Sequence, residues 1–224
     1  SENFISKTSN RTGSSLSIKN AYFKLDGSGL KIEIKDFFVK RGDLVCIDGP
    51  SGVGKTTFIE ALLSLRPLGG GTIQKSNDIK NIGYVFQKSR LLTGTAAENI
   101  FGSSFDPSYL EKHADILEAF SINKIVEKFE QGYNTHLAHG TTELSGGEAQ
   151  LVLLAREFIR NPDLLILDEV SSALDKDTER KVMAAIERLS HQKIIVFISH
   201  NEIFKKIANK VYKINNGELR NVAC

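Results

Sequence analysis

Short apolar runs alternate with longer amphipathic segments along most of the chain, and clusters of turn residues separate them. The runs rich in β-branched and aromatic residues predict strands at residues 16–25, 30–39, 44–47, 82–86, 164–167 and 194–198. Apolar residues at helical spacing predict helices at residues 55–65, 108–129, 151–159 and 177–189. Strands that alternate with helices in this way favour an α/β fold with a largely parallel sheet.

The remaining parts of the chain predict three further features. Residues 1–15 are polar and rich in Ser, Asn and Thr, which is typical of a tail or linker. The first two predicted strands flank a turn at residues 26–29, and they predict a small antiparallel β subdomain. Residues 89–145 have helical spacing in their middle, which predicts a helical insertion. We therefore expect one domain over residues 16–224 that contains this insertion.

Composition and charge exclude several classes of protein. The chain has 224 residues, 41% of them hydrophobic and 25% charged, as in an ordinary soluble globular domain. Its formal net charge of +2 gives no sign of a nucleic-acid partner. No apolar stretch reaches the roughly 18 residues of a membrane-spanning helix, so we expect any such span to come from another segment or subunit. The chain begins at Ser1 rather than Met, which we interpret as a processed or excised piece.

A glycine-bearing loop between a predicted strand and a predicted helix fits the phosphate-binding pattern G-x-x-x-x-G-K-[ST], the Walker A motif. Glycines let successive backbone N–H groups point at a phosphate, and the positive end of the following helix faces the same anion. Lys55 is expected near the β- and γ-phosphates, and the Thr56 hydroxyl near Mg²⁺. The predicted nucleotide-binding residues of this loop are Gly49, Pro50, Ser51, Gly52, Val53, Gly54, Lys55, Thr56 and Thr57. A glycine-rich turn without a ligand is the alternative, and the flanking elements weigh against it.

A second candidate lies where the predicted strand at residues 164–167 ends in two carboxylates, the Walker B arrangement. Ligands of open α/β sheets bind at the carboxyl ends of the strands. Asp168 is therefore predicted to hold Mg²⁺ through a water, and Glu169 to polarise the attacking water as general base. A solvated Asp-Glu pair at a strand end is the alternative, which the Walker A loop makes less attractive. Together the two motifs predict the core of a P-loop NTPase.

Four more motifs follow the order found in ATP-binding cassette (ABC) proteins. They are the signature Leu144-Ser145-Gly146-Gly147-Glu148, the Q-loop residue Gln87, the D-loop Ser171-Ser172-Ala173-Leu174-Asp175 and the H-loop Ile198-Ser199-His200. With these motifs the chain resembles an ABC nucleotide-binding domain over about residues 16–219. Ser145 and Glu148 also fit a capping box, which would begin a helix in any protein, and both interpretations can hold at once.

The resemblance implies an ATPase in which each ATP lies between the Walker A loop of one copy and the signature motif of a second, head-to-tail copy. The residues implied to contact ATP in trans are Ser145, Gly146, Gly147 and Asp175. The residues implied to hold Mg²⁺ are Thr56, Gln87 and Asp168, with Gln87 also beside the nucleotide. His200 would hold the γ-phosphate and orient the water that Glu169 polarises. Transmembrane domains, in the same or a partner chain, would keep the domain at the cytoplasmic side of a membrane.

Several positions depart from the usual pattern of this family. Leu25 aligns where the family stacks an aromatic side chain on adenine, and such stacking is worth roughly 1–3 kcal/mol in nucleic-acid sites. Tyr22 or Phe23 could replace it only if the first strand is shifted. Glu148 stands in place of Gln and puts a carboxylate near the γ-phosphate site, unless the capping box directs its charge at the backbone. Leu151 stands where the family often has a basic residue.

The branch of the family is indicated by residues 94–100, which resemble the exporter-type sequence shortly after Gln87. Residues 1–15 fit a linker from a preceding membrane domain, so we expect the ATPase domain of an exporter that couples hydrolysis to transport. An importer ATPase subunit and a soluble ABC ATPase acting on ribosomes or DNA are the alternatives. A regulator that never hydrolyses would need neither Glu169 nor His200, and the signature motif weighs against a P-loop GTPase or kinase.

Overall fold

The computed structural model describes residues 13–25, 29–86, 89–102, 105–137, 144–199 and 202–222. The chain divides into two compact units. The first unit draws on Ser1–Ile82, Asp163–Asp168 and Ser190–Cys224, and the second on Gly83–Pro162 and Glu169–Leu189. Each unit is therefore assembled from stretches that are far apart in sequence.

Strands and helices alternate through most of the described chain, as the sequence predicts. The strands are β1 (Ser15–Lys24), β2 (Lys31–Lys40), β3 (Leu44–Asp48), β4 (Thr72–Lys75), β5 (Ile82–Val85), β6 (Gly94–Thr95), β7 (His136–Leu137), β8 (Leu164–Asp168), β9 (Ile194–Ile198), β10 (Lys210–Asn215) and β11 (Glu218–Val222). The helices are α1 (Lys55–Leu62), α2 (Ala96–Phe101), α3 (Ser108–Lys112), α4 (Ala114–Ala119), α5 (Ile122–Val126), α6 (Gly146–Arg160), α7 (Lys176–Leu189) and α8 (Glu202–Ile207), with a 3₁₀ turn at Gly132–Asn134.

The first unit is built on a mixed sheet whose strand order is β4-β1-β2-β11-β10-β3-β9-β8. The strands β10, β3, β9 and β8 run parallel to one another in this order, and every residue of β8 and β9 is buried. Continuous burial explains why these strands read as unbroken Ile, Leu and Val runs, because parallel strands are covered on both faces. The predicted α/β fold with a largely parallel sheet is confirmed.

The antiparallel part of the same sheet begins with β1, which pairs with β2 on one side and β4 on the other. Residues in β1 and β2 largely alternate between buried and exposed, as expected of strands with one solvated face. The hairpin from β10 to β11 turns at Asn216 and Gly217, both with positive φ, which suits the tight turn of a two-residue hairpin. Strands β1 and β2 form the antiparallel β part that the sequence predicts, and β4 and the β10–β11 hairpin are antiparallel pairings that it does not predict.

Helix α1 is shorter than the helix predicted at residues 55–65. It ends at Leu62, and Ser64 adopts a left-handed backbone with φ of 59°. The N–H of Leu65 then donates to the carbonyl of Glu60 at 2.8 Å, a six-residue closure that is common where helices end. Buried Phe58 and Ile59 anchor the helix in the first unit.

The second unit is mainly helical, and its middle differs from the sequence prediction. Residues 108–129 form three short helices rather than one continuous helix. Ser121, between α4 and α5, has φ of 55°, a left-handed conformation that an α-helix cannot continue through. Apolar spacing still marks the buried face, since Phe120 packs against Phe158 of α6 with ring centroids 5.2 Å apart.

Helix α6 is the main buried helix of the second unit. Its predicted inner residues at 151, 154, 155 and 158 are buried, but residues 152 and 153 are buried as well and Ile159 is only half-buried. Arg156 fixes α6 to α2 through its Nε and Nη2, which donate to the carbonyl and side-chain oxygens of buried Asn99 at 2.5 and 2.7 Å. Within the described ranges, no helix is both long enough and apolar enough to cross a lipid bilayer.

Candidate functional site

The predicted phosphate loop lies in the first unit, between the end of β3 and the start of α1. Gly49 and Gly54 have φ of 148° and 104°, and a Cβ on either would clash. At Gly49 it would lie 2.6 Å from the carbonyl oxygen of Ile214, and at Gly54 it would lie 2.5 Å from Cδ2 of Leu25. The backbone clash therefore requires glycine at position 49, and at position 54 the φ of 104° favours glycine more than the contact with the flexible Leu25 side chain does.

Lys55 places its ammonium group against the loop itself. Its Nζ donates to the carbonyl oxygens of Gly49 and Pro50 at 2.8 and 2.9 Å, and the residue is only 7% exposed. A buried cation at the mouth of a helix N-terminus attracts an anion from both sources of positive charge. Among the other predicted residues, Pro50, Ser51, Gly52 and Thr56 are exposed, and Val53 and Thr57 are half-buried.

Asp168 lies at the same level of the sheet as the start of this loop. It pairs in register with Ile198 of β9, and Ile198 pairs with Ile47 of β3. Two strand spacings separate Asp168 from Ile47, which is about 10 Å. The carboxyl ends of three parallel strands thus bring a buried carboxylate and the phosphate loop to one edge, the usual ligand edge of such sheets.

Glu169 follows Asp168 with an unusual backbone. Its φ is 49°, and its carbonyl accepts a hydrogen bond from the N–H of Ser172 at 3.2 Å. A left-handed conformation costs a non-glycine residue on the order of 1 kcal/mol, and such strain tends to be kept at functional positions. The buried Asp168 is the last residue of β8, and the turn begins directly after it at Glu169.

A cleft of about 700 Å³ adjoins the phosphate loop within the first unit. It is lined by Leu25, Leu30, Lys31, Ile32, Glu33, Gly52, Val53, Asn215, Asn216, Gly217 and Glu218. Leu25, which aligns with the family's adenine-stacking position, is here, and Leu30, which is 62% exposed, offers a second apolar surface. Sequence reasoning missed Leu30 and the hairpin turn, because only the fold brings residues 215–218 beside the loop.

Neither aromatic residue of β1 takes the place of Leu25. The Tyr22 ring lies against Gly69, where a Cβ would be 2.2 Å from Cζ, and Lys31 Nζ lies 4.7 Å from its centroid. Phe23 is fully buried and packs near Phe58 with centroids 6.2 Å apart. The side of the cleft beside Leu25 is therefore aliphatic.

The predicted signature residues lie in the second unit, at the N-terminus of α6. Ser145 is the N-cap and forms a complete capping box with Glu148: the Glu148 N–H donates to Ser145 Oγ at 3.2 Å, and the Ser145 N–H donates to Glu148 Oε2 at 2.8 Å. A Cβ on Gly147 would lie 3.0 Å from the carbonyl oxygen of Ala173, so the start of the helix packs closely against the D-loop. The capping interpretation is confirmed, and Gly147 lies where another backbone segment approaches closely.

A cleft of about 520 Å³ opens in front of this helix end. It is lined by Ser121, Lys124, Ile125, Lys128, Ser145, Gly146, Gly147, Glu148, Leu151, Ala173, Leu174, Asp175 and Thr178. All four predicted trans residues border this one cleft. Sequence reasoning missed Lys124 and Lys128, which have no motif around them and reach the cleft from α5 and its C-terminal turn.

Two carboxylates at this cleft have structural partners. Burial alone would raise the pKa of Glu148, but hydrogen bonds from Lys128 and Ser145 and the Lys128 charge lower it. Asp175 begins α7: its Oδ1 accepts from the N–H groups of Asp177 and Thr178, and its Oδ2 from the Thr178 hydroxyl at 2.6 Å. These hydrogen bonds lower the pKa of Asp175, and the bond from the Thr178 hydroxyl has the largest effect. Asp175 is therefore a helix cap, in addition to any role at the cleft.

Two predicted site residues, Gln87 and His200, lie outside the described residues. Of the described residues that precede them, Val85 ends β5 and Ile198 ends β9, which lies between β3 and β8. Their roles stay predictions from the sequence.

The phosphate loop, the acidic strand end and the serine-led helix have the order found in one large family. The family model for the ABC transporter matches residues 33–172, more than half of the chain. The chain belongs to the ABC transporter family. It carries the ATP-binding and ATP-hydrolysing domain of that family. Relatives of this ABC domain include exporters.

Curated relatives of this ABC domain include two transporters. ABC transporter B family member 14 of Arabidopsis thaliana is 30% identical over 194 residues, 82% of this chain and 16% of its own. The beta-(1→2)glucan export ATP-binding/permease protein NdvA of Brucella suis biovar 1 is 33% identical over 210 residues, 89% of this chain and 35% of its own. This ABC domain therefore spans about a sixth to a third of these two relatives.

A solved structure resembles the ABC domain over nearly its whole length. It is that of a bacterial Atm1-family ABC exporter with ATP bound, with a TM-score of 0.79 and 26% sequence identity. The match covers 97% of this chain and 40% of that one. The exporter-type ABC ATPase fold predicted from the motifs is thus confirmed.

Proposed function

We propose that this domain binds MgATP between two head-to-tail copies and hydrolyses it to drive export across a membrane. The single observation that supports this most is the chemistry of the two clefts. One adjoins the glycine loop that holds a buried lysine, and the other contains a capped helix N-terminus without bulky side chains at its first two positions. Each is half of an anion site, which a second copy would complete.

In the first half-site, the loop N–H groups and Lys55 bind the β- and γ-phosphates. The donor set suits Mg²⁺: the exposed Thr56 hydroxyl and the Asp168 carboxylate, with Gln87, are hard oxygen ligands. The bound Mg²⁺ supplies positive charge that stabilises the phosphate oxygens as the terminal bond breaks. The adenine is placed against Leu25 and Leu30, so dispersion and burial replace aromatic stacking and base selectivity is loose.

Glu169 is the general base in this proposal, because it directly follows the proposed metal ligand and begins the turn that leaves the strand. It accepts a proton from the water that attacks the γ-phosphate, and His200 orients that water and holds the phosphate. The left-handed backbone of Glu169 supports this assignment, since this conformation is uncommon for a long, non-glycine side chain and strained residues cluster at active sites.

In the second half-site, Ser145, Gly146 and Gly147 bind the γ-phosphate of the partner's nucleotide. The exposed N-terminus of the 15-residue helix α6 supplies N–H donors and a positive dipole end. Asp175 lies at the same cleft and contacts the partner from the start of α7. The helix end and the D-loop therefore act in trans as one surface.

The transport role is supported by the exporters among the relatives and by the exporter-type sequence at residues 94–100. In this proposal the domain is attached to transmembrane domains, in its own or a partner chain, on the cytoplasmic side of a membrane. ATP-driven closure of two such domains then moves the membrane part. The transported substrate is selected by that part.

The proposal is tested with the Glu169→Gln variant. Glutamine keeps the shape of the side chain but does not accept the proton, so ATP binding should persist while phosphate release falls at least about 100-fold. The variant should accumulate as an ATP-bound dimer, measured by size-exclusion chromatography with light scattering and by retained radiolabelled ATP.

Lys55→Ala is the matched control, because it removes the phosphate contact rather than the base. It should lose tight ATP binding, and therefore should not accumulate a dimer. Phosphate release at the wild-type rate by the Glu169→Gln variant would exclude Glu169 as the base.

A further inference from the structure

The signature cleft contains an ion pair that no motif includes. Lys128 lies just beyond α5, and its Nζ contacts Oε1 of Glu148, the third residue of α6. The other oxygen, Oε2, accepts the Ser145 N–H at 2.8 Å. One carboxylate therefore joins an ammonium group to the backbone that begins the helix.

The side chains of this pair differ in exposure. The Glu148 side chain is 18% exposed and the Lys128 side chain 63%. A partly buried carboxylate has limited access to water, so its charge depends on Lys128 for compensation. The family usually has an uncharged Gln at this position, and here the Glu is accompanied by a cation.

The charges that border the cleft are evenly balanced. Lys124 and Lys128 carry two positive charges, and Glu148 and Asp175 carry two negative ones. Asp175 directs both carboxylate oxygens at the first turn of α7, which leaves Glu148 as the acid at the serine-led helix end. Removing Lys128 would leave a net negative charge in front of the N–H groups that the proposed phosphate must reach.

We propose that Lys128 is a positioning residue that neutralises Glu148 and so keeps the signature cleft receptive to the γ-phosphate of a second copy's ATP. This inference rests on the proposed function, because it assigns Lys128 a role at the trans half of that site. Lys128 acts through Glu148: it holds Oε1, and the capping box holds Oε2. The cleft thereby accepts an acid in its signature without repelling the phosphate.

The test is a double-mutant cycle with Lys128→Met, Glu148→Gln and the combined variant, measured by steady-state ATPase activity and by ATP-dependent dimerisation. Lys128→Met should raise the KM for ATP about tenfold, because an uncompensated carboxylate then faces an incoming anion. Its kcat should stay within about twofold of wild type, since the base is untouched. Glu148→Gln should resemble wild type, because Gln also completes a capping box.

The decisive variant is the double mutant. Adding Glu148→Gln to Lys128→Met should restore the KM to within about twofold of Glu148→Gln alone, because no charge is left to compensate. Lys124→Met is the matched control: it removes a cation from the same cleft, and Glu148→Gln should not rescue it to the same extent. Thermal unfolding of all variants separates these effects from folding, since a surface ion pair contributes only about 0–1 kcal/mol.

Three outcomes would overturn the inference. The first is a Lys128→Met variant with a wild-type KM, the second is a defect that Glu148→Gln leaves in place, and the third is equal rescue of Lys124→Met. Failure of the proposed function looks different, because the wild-type protein itself would then fail to hydrolyse ATP or the Glu169→Gln variant would fail to dimerise.

Discussion

At the scale of single residues, two neighbouring carboxylates illustrate how position changes chemistry. Asp168 ends a buried strand, whereas Glu169 leaves it through a left-handed backbone. The motif predicts both residues and their order. It does not predict the turn between them, because a φ of 49° at a glutamate has no signal in the sequence and depends on the surrounding fold.

Asp163 shows how a carboxylate stabilises this fold without touching the site. Its Oδ2 accepts the N–H groups of Lys80 and Asn81 at 2.9 and 3.0 Å, and Arg41 lies 3.9 Å away. Burial alone would raise the pKa of Asp163, but the hydrogen bonds from Asn81 and Lys80 and the charges of Arg41 and Lys80 lower it. The ionised form is therefore favoured in the folded state.

This pKa shift predicts how stability depends on pH. Because the folded pKa is depressed, the contribution is present above the unfolded pKa of about 3.9 and is lost as pH falls through the folded value. Asp163→Asn should lower the free energy of unfolding by about 1–2 kcal/mol at pH 7, and the difference should shrink between about pH 5 and pH 3. Urea denaturation at several pH values measures both.

The control for this prediction is Asp177→Asn. Asp177 forms an exposed pair with Arg180 at 3.3 Å, and its side chain is 83% exposed, so its loss should cost less than about 0.5 kcal/mol. A pH-independent effect of Asp163→Asn would contradict the proposed charge contribution.

At the scale of elements, two helices of the second unit begin with the same device. Thr95 and Glu98 form a capping box at α2, as Ser145 and Glu148 do at α6. Removing the capping hydroxyl should cost about 1 kcal/mol in either helix. The variants Thr95→Ala and Ser145→Ala should therefore lower the melting temperature by similar amounts.

Their effects on activity should differ, because only α6 has the proposed phosphate site at its N-terminus. Ser145→Ala should reduce ATPase activity by about tenfold or more, beyond any loss of stability, whereas Thr95→Ala should stay near the wild-type rate at 20 °C. Coupled-enzyme assays and calorimetry on the two variants decide this. Equal loss of activity in both would reduce Ser145 to a helix cap.

Elements differ in how well the sequence predicts them. The buried strands β3, β8 and β9 are predicted because unbroken apolar runs have few alternatives, and glycine spacing marks the phosphate loop. The break of residues 108–129 into three helices is missed, because the left-handed turn at Ser121 and the non-helical backbone of His113 leave the apolar spacing nearly intact. Strands β10 and β11 are also missed, although Asn216 and Gly217 between them are a known hairpin signal.

The candidate site also contains residues that the local sequence predicts and residues that it does not. Residues inside a motif are predicted, since their chemistry depends on neighbours in the chain. Leu30, Lys124 and Lys128 are missed, because each enters its cleft through tertiary packing and lies in an unremarkable local sequence.

At the scale of the whole molecule, the phosphate loop and the serine-led helix belong to different units. We expect the isolated domain to be mostly monomeric without nucleotide, because the proposed interface is completed by bound ATP. Addition of MgATP to the Glu169→Gln variant should shift it to a dimer, and light scattering would measure a doubled mass. A stable dimer without ATP would contradict this expectation.

The phosphate loop and the serine-led helix lie in different units, and this has a consequence for genetic complementation between defective copies. A copy with a broken phosphate loop would still offer an intact helix end, and a copy with a broken helix end would still offer an intact loop. In the proposed head-to-tail dimer, a hybrid of two such damaged copies would contain one wholly defective centre and one complete centre. Defects in different units would therefore complement each other, while two defects in the same unit would not.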